Sequence, residues 1–337
     1  MIIPVYKAFY NLRLNPFEIT PDPFFLFSTP RHNEALASLY YGVRARKGFV
    51  VLTGEVGTGK TLLVRCVLEL LRRTGVAFAY VFNPSLSALE FIRYIAGDFG
   101  LPVAGKAKDE IILSLSAFLV DRHQRKLATL LVVDEAHHLS AELLEEVRLL
   151  TNLETTQQKL LQIVLAGQPE LDEMLDSYAL RQIKQRVALR CQLEPLNLEE
   201  TRGYIQRRLQ IAGVGTDIAI FSEAATSAIF RHSKGFPRTI NTICENALLS
   251  GYGRRAAVIS PEIVDEVASD LRLGVVSSRE EKKNGSSRAE KEQEKDELLR
   301  AVKTLLELHD YLQEMKLSDK KEATTLPREI TEHEPYI

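Results

Sequence analysis

The fold is decided by the stretch FVVLTGEVGTGKT, residues 49–61. An apolar run of strand length leads directly into a glycine-rich loop, and helical periodicity begins at Lys60. The loop, residues 54–61, fits the pattern G-x-x-x-x-G-K-[ST]. Because the pattern lies between a predicted strand and a predicted helix, it has the context of a phosphate-binding loop. We therefore expect a P-loop fold.

Each part of this loop has a chemical purpose. Glycines let backbone N–H groups approach phosphate oxygens, and the start of the next helix adds a positive dipole end. Lys60 would place its charge on the β- and γ-phosphates, and the Thr61 hydroxyl would ligate Mg²⁺. The expected ligands are thus ATP and Mg²⁺. The expected nucleotide-binding residues are Gly54, Glu55, Val56, Gly57, Thr58, Gly59, Lys60, Thr61 and Leu62.

Two carboxylates, Asp134 and Glu135, end an apolar strand at residues 130–133. Acids at the exit of a buried strand are costly unless they meet a cation or water. We expect Asp134 to hold Mg²⁺ through water and Glu135 to polarise the attacking water. The letters DEAH at 134–137 match a helicase motif, but such a helicase needs a second sheet domain. We interpret His137 and His138 as ordinary loop or helix-start residues.

Three further polar residues are candidates for contact with the γ-phosphate or the nucleotide. Gln168 follows the fourth predicted strand and is a candidate catalytic sensor, against a plain turn residue. Arg186 precedes the fifth strand and is the favoured arginine finger towards a neighbouring subunit, with Arg181 as second choice. Arg238 begins a helix, where a cation is unfavourable unless it faces an anion. We expect it to contact the nucleotide from a lid.

Strands and helices alternate as far as Pro195, and only helices follow. Buried strands in this alternation predict an α/β fold with a mostly parallel five-stranded sheet. The predicted strands are 49–53, 77–82, 128–134, 160–166 and 187–193. The predicted domains are an aromatic, proline-rich N-terminal arm (1–30) packed over the next domain, a P-loop core (31–195), a helical lid (196–273), a charged linker (274–294), an amphipathic helix (295–317) and a disordered tail (318–337).

Composition excludes several classes of protein. The 43 lysines and arginines nearly balance the 45 aspartates and glutamates, so the whole chain has no broad basic field. The three cysteines are far apart, which argues against a disulfide framework or a zinc site. No apolar run approaches the roughly 20 residues of a membrane helix, so we expect no integral membrane segment and a cytoplasmic protein. Seven basic residues are candidates for DNA contact but are more simply scattered solvated charges: Arg44, Arg46, Lys47, Arg72, Arg73, Arg254 and Arg255.

Taken together, these motifs resemble the AAA+ ATPases and, more closely, the general secretion pathway protein A (ExeA) family. The similarity covers roughly residues 5–270. It rests on FYNL at 9–12, NPF at 15–17, PDP at 21–23, HxEAL at 32–36, the P-loop, DEA at 134–136, AGQPEL at 166–171, QR at 185–186 and GxPRxIN at 235–241. The resemblance implies a five-stranded core with a helical lid. It also implies ATP hydrolysis at the subunit interfaces of a ring or filament, with the arginine acting in trans.

The chain departs from that family after its lid. Family members carry a membrane span and a periplasmic peptidoglycan-binding domain there, whereas this sequence has a linker, one helix and a tail. Three functions stay open. The first is an ATPase that assists assembly of an envelope secretion or export system, with 295–317 docking an unknown partner. The second is a DNA-associated ATPase that regulates transposition or another DNA transaction. The third is a nucleotide-dependent scaffold with little turnover, against which the intact Lys60, Thr61, Asp134 and Glu135 argue.

Overall fold

A computed structural model describes residues 5–82, 86–155, 158–215 and 219–273 of the chain. The predicted linker at 274–294, the amphipathic helix at 295–317 and the tail at 318–337 lie outside the described residues. Within the described ranges, no helix has both the length and the apolar character that crossing a bilayer requires.

A five-stranded sheet forms the centre of the P-loop core, and all its pairings are parallel. Its strands are β1 (Phe49–Gly54), β2 (Ala77–Val81), β3 (Thr129–Val133), β4 (Gln162–Gly167) and β5 (Val187–Leu193). The strand order is β2-β3-β4-β1-β5. Every residue of β1, β3 and β4 is buried, as expected for central strands covered on both faces. The prediction of a mostly parallel five-stranded α/β sheet is confirmed.

Helices cover both faces of this sheet. One face packs against α1 (Pro30–Arg44) and α2 (Lys60–Arg72). The other face packs against a larger group of helices: α3 (Ala88–Asp98), α4 (Lys108–Gln124), α5 (Ala141–Leu150), α6 (Glu170–Asp176) and α7 (Arg181–Lys184). Successive β1 residues alternate between the two cores, with Val50 on the α1–α2 side and Val51 on the other.

Among the described residues that follow the sheet, four helices form a second core of their own. They are α8 (Leu198–Ile211), α9 (Glu223–Ser233), α10 (Pro237–Gly253) and α11 (Pro261–Asp270). Local sequence explains where three of them begin. Asn197 and Glu200 form a capping box at α8, the Ser222 side chain caps α9, and Pro237 occupies the first turn of α10.

The N-terminal segment packs mainly on the helical domain, which differs from the expected position over the P-loop core. Its buried side chains belong to the helical core: Tyr6, Tyr10, Leu12 and Phe17. The Tyr6 hydroxyl donates to Oε2 of Glu245 at 2.6 Å, and the Tyr10 hydroxyl donates to the Ala256 carbonyl at 2.9 Å. Four short helices alone bury little apolar surface, and these large rings complete their core.

Only the later part of the arm reaches the P-loop core. Arg65 on α2 donates from Nη1 to the Pro21 carbonyl at 2.8 Å, and Leu26 joins the core beneath α1 and α2. The arm therefore begins in the helical domain and crosses to the P-loop core between residues 18 and 26. That crossing places the chain beside the P-loop.

Candidate nucleotide-binding site

The P-loop joins the carboxyl end of β1 to the start of α2. Gly57 and Gly59 have φ angles of +86° and +100°, the left-handed region that favours glycine. A Cβ atom at Gly54 would lie 2.8 Å from the Leu193 carbonyl oxygen. Thr58, which is fully buried, donates from Oγ1 to the Glu55 carbonyl at 2.8 Å and braces the turn. Backbone geometry thus explains the glycine pattern of the loop.

Lys60 points into the cleft from the first residue of α2. Its side chain is buried, and Nζ donates to the carbonyl oxygens of Gly54 at 2.6 Å and Glu55 at 3.1 Å. Burial lowers the pKa of Lys60, and the nearby carboxylates, with Glu135 first among them, act in the opposite direction. An ammonium group held in this position can bind a polyanion such as a triphosphate.

Asp134 and Thr61 meet at the end of β3. Asp134 is 4% exposed, and its Oδ2 accepts hydrogen bonds from Thr61 Oγ1 at 2.8 Å and from Tyr80 Oη at 2.7 Å. Its Oδ1 accepts from the Glu135 backbone N–H at 3.0 Å. The predicted pair is therefore joined by a third residue, Tyr80 on β2, which we did not predict. Burial raises the pKa of Tyr80, so its hydroxyl remains a donor.

The oxygen donors at this point fit Mg²⁺. A hydroxyl and a carboxylate are ligands that this hard cation prefers, and Mg²⁺ usually takes few protein ligands because substrate phosphates and water supply the rest. In the described part of the chain, this point included, no group of three or more His, Cys, Asp or Glu side chains is arranged to hold a metal, so the fit rests on one carboxylate and one hydroxyl. Thr61 and Asp134 are thus the residues that would hold it.

Glu135 lines the same cleft with an unusual backbone. Its φ and ψ are 50° and 37°, a left-handed conformation that is unfavourable for residues other than glycine. Such strain persists where surrounding structure enforces it, and it concentrates at functional sites. Glu135 therefore presents its carboxylate to the cleft at the turn directly after β3.

His137 links Glu135 to Gln168. Its Nδ1 lies 3.5 Å from Oε2 of Glu135, and its Nε2 lies 2.7 Å from Nε2 of Gln168. The His137 side chain is only 7% exposed, and burial together with His138 lowers its pKa. Gln168 is therefore connected to the cleft residue Glu135 only indirectly, through His137. His137 lies in a short 3-10 helix, Ala136–His138, which agrees with our interpretation of it as a loop or helix-start residue. Its contacts with Glu135 and Gln168 go beyond that interpretation, and only the strand order could have revealed them.

Arg238 lies over the P-loop at the start of α10. Its backbone N–H donates to the Gly57 carbonyl at 3.3 Å, and a Cβ at Gly57 would lie 2.9 Å from Cβ of Arg238. The helical domain and the P-loop enclose a cleft of about 360 Å³. Its walls include the predicted residues Val56, Gly57, Gly59, Lys60, Thr61, Leu62, Glu135 and Arg238.

Other residues complete the cleft. They are residues 18–22 of the arm, which include part of the PDP stretch that we expected only to pack near the nucleotide, together with Tyr204, Arg208, Pro237 and Asn241 of the helical domain. The crossing of the arm from one domain to the other places residues 18–22 beside these side chains of the helical domain. The PDP sequence at 21–23 marked this stretch, but no local pattern indicated its partners.

Arg186 lies far from its own cleft. It precedes β5 at the amino end of the sheet, whereas the P-loop follows the carboxyl end of the neighbouring strand β1. The length of β1 separates these edges by roughly 20 Å. The Arg186 guanidinium donates to the Thr151 hydroxyl at the end of α5, and Arg181 stacks 4.4 Å from the Tyr178 ring centroid. Neither arginine meets the P-loop of the same chain.

Comparison with known proteins places this arrangement in a family. Residues 43–175 match the AAA domain family. The chain is 43% identical over 254 residues to general secretion pathway protein A of Aeromonas hydrophila, an alignment that covers 74% of this chain and 45% of that protein. The aligned region therefore spans less than half the length of that relative.

Similar solved structures share the fold at low sequence identity. Drosophila ORC bound to DNA has a TM-score of 0.58 at 16% identity, covering 76% of this chain and 66% of that one. Cdc6p from Pyrobaculum aerophilum has a TM-score of 0.55 at 19% identity, covering 76% and 72%. The domain match, the fold and the relative together identify the chain as an AAA+ P-loop ATPase of the general secretion pathway protein A family.

Proposed function

We propose that this chain binds ATP with Mg²⁺ in the cleft and hydrolyses it, as a cytoplasmic, self-associating motor or switch that assists an envelope secretion or export system. One observation carries the hydrolytic part. Lys60, Thr61, Asp134 and Glu135, which come from two separate strand ends, converge on the cleft with Arg238 above them.

The proposed roles follow from the contacts of each side chain. Lys60 and the loop N–H groups hold the phosphates, while Thr61 and Asp134 hold Mg²⁺, which would neutralise charge on the β- and γ-phosphate oxygens when bound. Glu135 accepts a proton from the attacking water and orients it in line with the leaving group. Arg238 reports nucleotide to the helical domain, because it belongs to α10 and contacts Gly57.

Self-association is proposed from the position of Arg186. An arginine at the opposite edge of the sheet from its own P-loop suits action on a neighbouring subunit. Arginine fingers supplied in trans contribute about 10³–10⁵ in rate in other phosphoryl-transfer systems. The contact with Thr151 holds the guanidinium near the surface of the chain, ready for a partner.

The biological process is proposed from the relative alone. That protein is named for the general secretion pathway, and the alignment covers 45% of it. A partner docked through residues 295–317 remains a prediction, because that segment lies outside the described residues.

Hydrolysis is tested by phosphate release from the purified chain. We expect Glu135→Gln to lower kcat by about 10²–10⁴-fold, the usual contribution of a general base, while ATP still binds. Glu142→Gln, on the first turn of α5, is the matched control and should leave the rate unchanged. Equal rates for the wild type and Glu135→Gln would contradict the catalytic assignment and favour a scaffold.

Action in trans is tested by mixing two inactive variants. Lys60→Ala lacks phosphate binding and Arg186→Ala lacks the finger, so a mixed assembly contains some complete sites. We expect partial recovery of phosphate release on mixing. If the mixture is no more active than either variant alone, Arg186 does not act on a neighbour's nucleotide.

A further inference from the structure

Three of the connections at the amino end of the sheet, opposite the cleft, carry a concentration of basic side chains. They are the α1–β1, α2–β2 and α4–β3 connections together with the ends of their helices. We call this surface the basic edge; its basic residues are Arg44, Arg46, Lys47, Arg72, Arg73, Arg122, Arg125 and Lys126. The carboxylates in the same segments are Glu69 and Asp121, so eight positive charges face two negative ones. The α5–β4 connection lies between these segments in the strand order, and it adds the ion pair of Lys159 with Glu154. The whole chain, in contrast, has a net charge of −2.

Side-chain contacts join these connections into one surface. Nη2 of Arg46 donates to the Leu127 carbonyl at 3.3 Å, and the same guanidinium contacts the His123 ring. Nη2 of Arg122 donates to the Gly75 carbonyl at 2.6 Å. The first contact ties the α1–β1 connection to α4–β3, and the second ties α4–β3 to α2–β2. The charges are therefore held side by side on an ordered platform.

Several of these cations have no polar partner within the described parts of the chain. The side chains of Arg44, Arg73 and Lys126 are exposed and make no hydrogen bond or ion pair there, and Lys47 lies over the Tyr41 ring. The two ion pairs on the surface, Arg72 with Glu69 and Arg125 with Asp121, are exposed at both ends. Exposed pairs of this kind contribute little energy, so the positive field of the surface is largely unneutralised.

Helix dipoles account for only part of this charge. Three helices end at the basic edge, and a cation near a helix carboxyl end is favourable. If each of the three helix ends favours one cation, helix dipoles leave five of the eight basic residues unexplained. Lys47 and Lys126 also lie beyond the helix ends. Five of the seven candidate DNA-contact residues, which we interpreted as scattered solvated charges, gather on this surface, while Arg254 and Arg255 lie in the helical domain.

We propose that the basic edge binds the phosphate backbone of a double-stranded nucleic acid without reading its sequence. Six of the eight side chains are arginines, whose planar donors match phosphate oxygens. None of the described residues that form this surface is a large, exposed apolar side chain. Membrane binding by basic charge alone is weak without such an anchor.

The surface also favours a duplex over a single strand. Binding of single strands relies on aromatic side chains on which unpaired bases stack. Three rings near the basic edge, Tyr41, Phe78 and Phe118, lie beneath Lys47, Arg72 and Arg122. Because the platform lies across the sheet from the cleft, a duplex bound there would leave the nucleotide site open. Binding of a duplex at the basic edge is therefore independent of the proposed ATP hydrolysis.

The test measures fluorescence anisotropy of a labelled DNA duplex of about 30 base pairs with the purified full-length chain between 50 and 200 mM salt. The test variant combines Arg44→Ala, Arg73→Ala and Lys126→Ala. The matched control removes three cations from the arm and helical domain, through Lys7→Ala, Arg207→Ala and Arg255→Ala. Phosphate release without DNA should be unaffected in the test variant, since none of its residues touches the cleft.

We expect wild type and control to bind with affinity that falls steeply as salt increases. The test variant should bind at least tenfold more weakly at 50 mM salt, with a salt slope reduced by about three. Absence of wild-type binding at 50 mM salt would overturn the proposal, as would an equal loss in both triple variants. Binding to vesicles containing phosphatidylserine through the same three residues, without duplex binding, would instead assign the surface to a membrane.

Discussion

At the scale of single residues, His137 is the side chain best placed to hold the proposed general base. It is nearly buried, with Glu135 3.5 Å from one ring nitrogen and Gln168 2.7 Å from the other. The Gln168 backbone N–H donates to Nδ1 at 3.4 Å, so in the neutral ring this nitrogen is an acceptor, and its proximity to Glu135 is a packing contact rather than a hydrogen bond. The lowered pKa of His137 favours that neutral form at pH 7. We interpret His137 as a positioning residue.

This role predicts a particular kinetic change. His137→Ala should lower kcat by roughly 10- to 100-fold, less than loss of the base itself, because Glu135 remains but is free to turn away. The KM for ATP should change little, since His137 does not line the cleft. His232→Ala on α9 is the control, because that ring contacts Asp265 in the helical domain. Loss of ATP affinity with unchanged kcat would contradict the positioning role.

Tyr80 supplies a second prediction at this scale. Its hydroxyl and that of Thr61 donate to the same oxygen of Asp134. Tyr80→Phe leaves Asp134 without one of the donors that orient it, and loss of such an outer partner typically costs 10- to 100-fold in metal affinity. We expect binding of a fluorescent ATP analogue to need about tenfold more Mg²⁺. Tyr40→Phe on α1 is the control, and an unchanged Mg²⁺ requirement in Tyr80→Phe would refute the assignment.

At the scale of elements, the arm and α8 are joined by a buried arginine. Arg208 is 4% exposed; its Nε donates to the Pro16 carbonyl and its Nη1 donates to Tyr204 Oη at 2.9 Å. The guanidinium also lies 4.7 Å from the Phe25 ring centroid. Asn241 on α10 donates to the Glu18 carbonyl at 3.3 Å and accepts from the same Tyr204 hydroxyl. This network holds the arm where it passes the nucleotide cleft.

Breaking the network should release the arm. Arg208→Met keeps much of the packing volume but leaves the Pro16 carbonyl and Tyr204 hydroxyl without a charged donor, at a cost of about 2–4 kcal/mol in unfolding free energy. We expect lower stability in urea and faster tryptic cleavage after Lys7 and Arg13. Arg207→Met, exposed on the same helix, should change neither. A stable variant with unchanged cleavage would show that the arm is held by its aromatic residues alone.

Sequence patterns predicted the positions of the strands well, but they did not predict which strands and side chains contact one another. Each predicted strand lies within two residues of an observed one, because buried strands with glycine or acidic ends leave a local signal. The order β2-β3-β4-β1-β5 leaves no such signal, and it is what brings Tyr80 to Asp134 and His137 to Gln168. The contacts of the arm also leave no local signal in the sequence, since the hydrogen-bonded residues Tyr6 and Glu245 are 239 residues apart.

At the scale of the whole molecule, the two domains meet at a turn that only glycine can form. Gly235 has φ +78°, and a Cβ there would lie 1.8 Å from the Leu196 carbonyl oxygen. The Leu196 N–H donates to the Gly235 carbonyl at 2.9 Å, so α9 and α10 are anchored where β5 leaves the sheet. Arg238 follows three residues later and contacts the P-loop. The position of the helical domain over the nucleotide therefore depends on this turn.

Gly235→Ala tests that dependence, and Gly100→Ala is its matched control. Gly100 has φ +80°, but an added Cβ there meets nothing within 4 Å, so its substitution measures backbone strain alone, about 1–2 kcal/mol. At Gly235 an added Cβ causes the same backbone strain and also collides with rigid backbone. We therefore expect Gly235→Ala to lower the free energy of unfolding by more than about 4 kcal/mol. Thermal unfolding measures both variants, and affinity for a fluorescent ATP analogue should fall only in Gly235→Ala. Equal destabilisation with equal ATP affinity would mean that the domains do not depend on this turn to enclose the nucleotide.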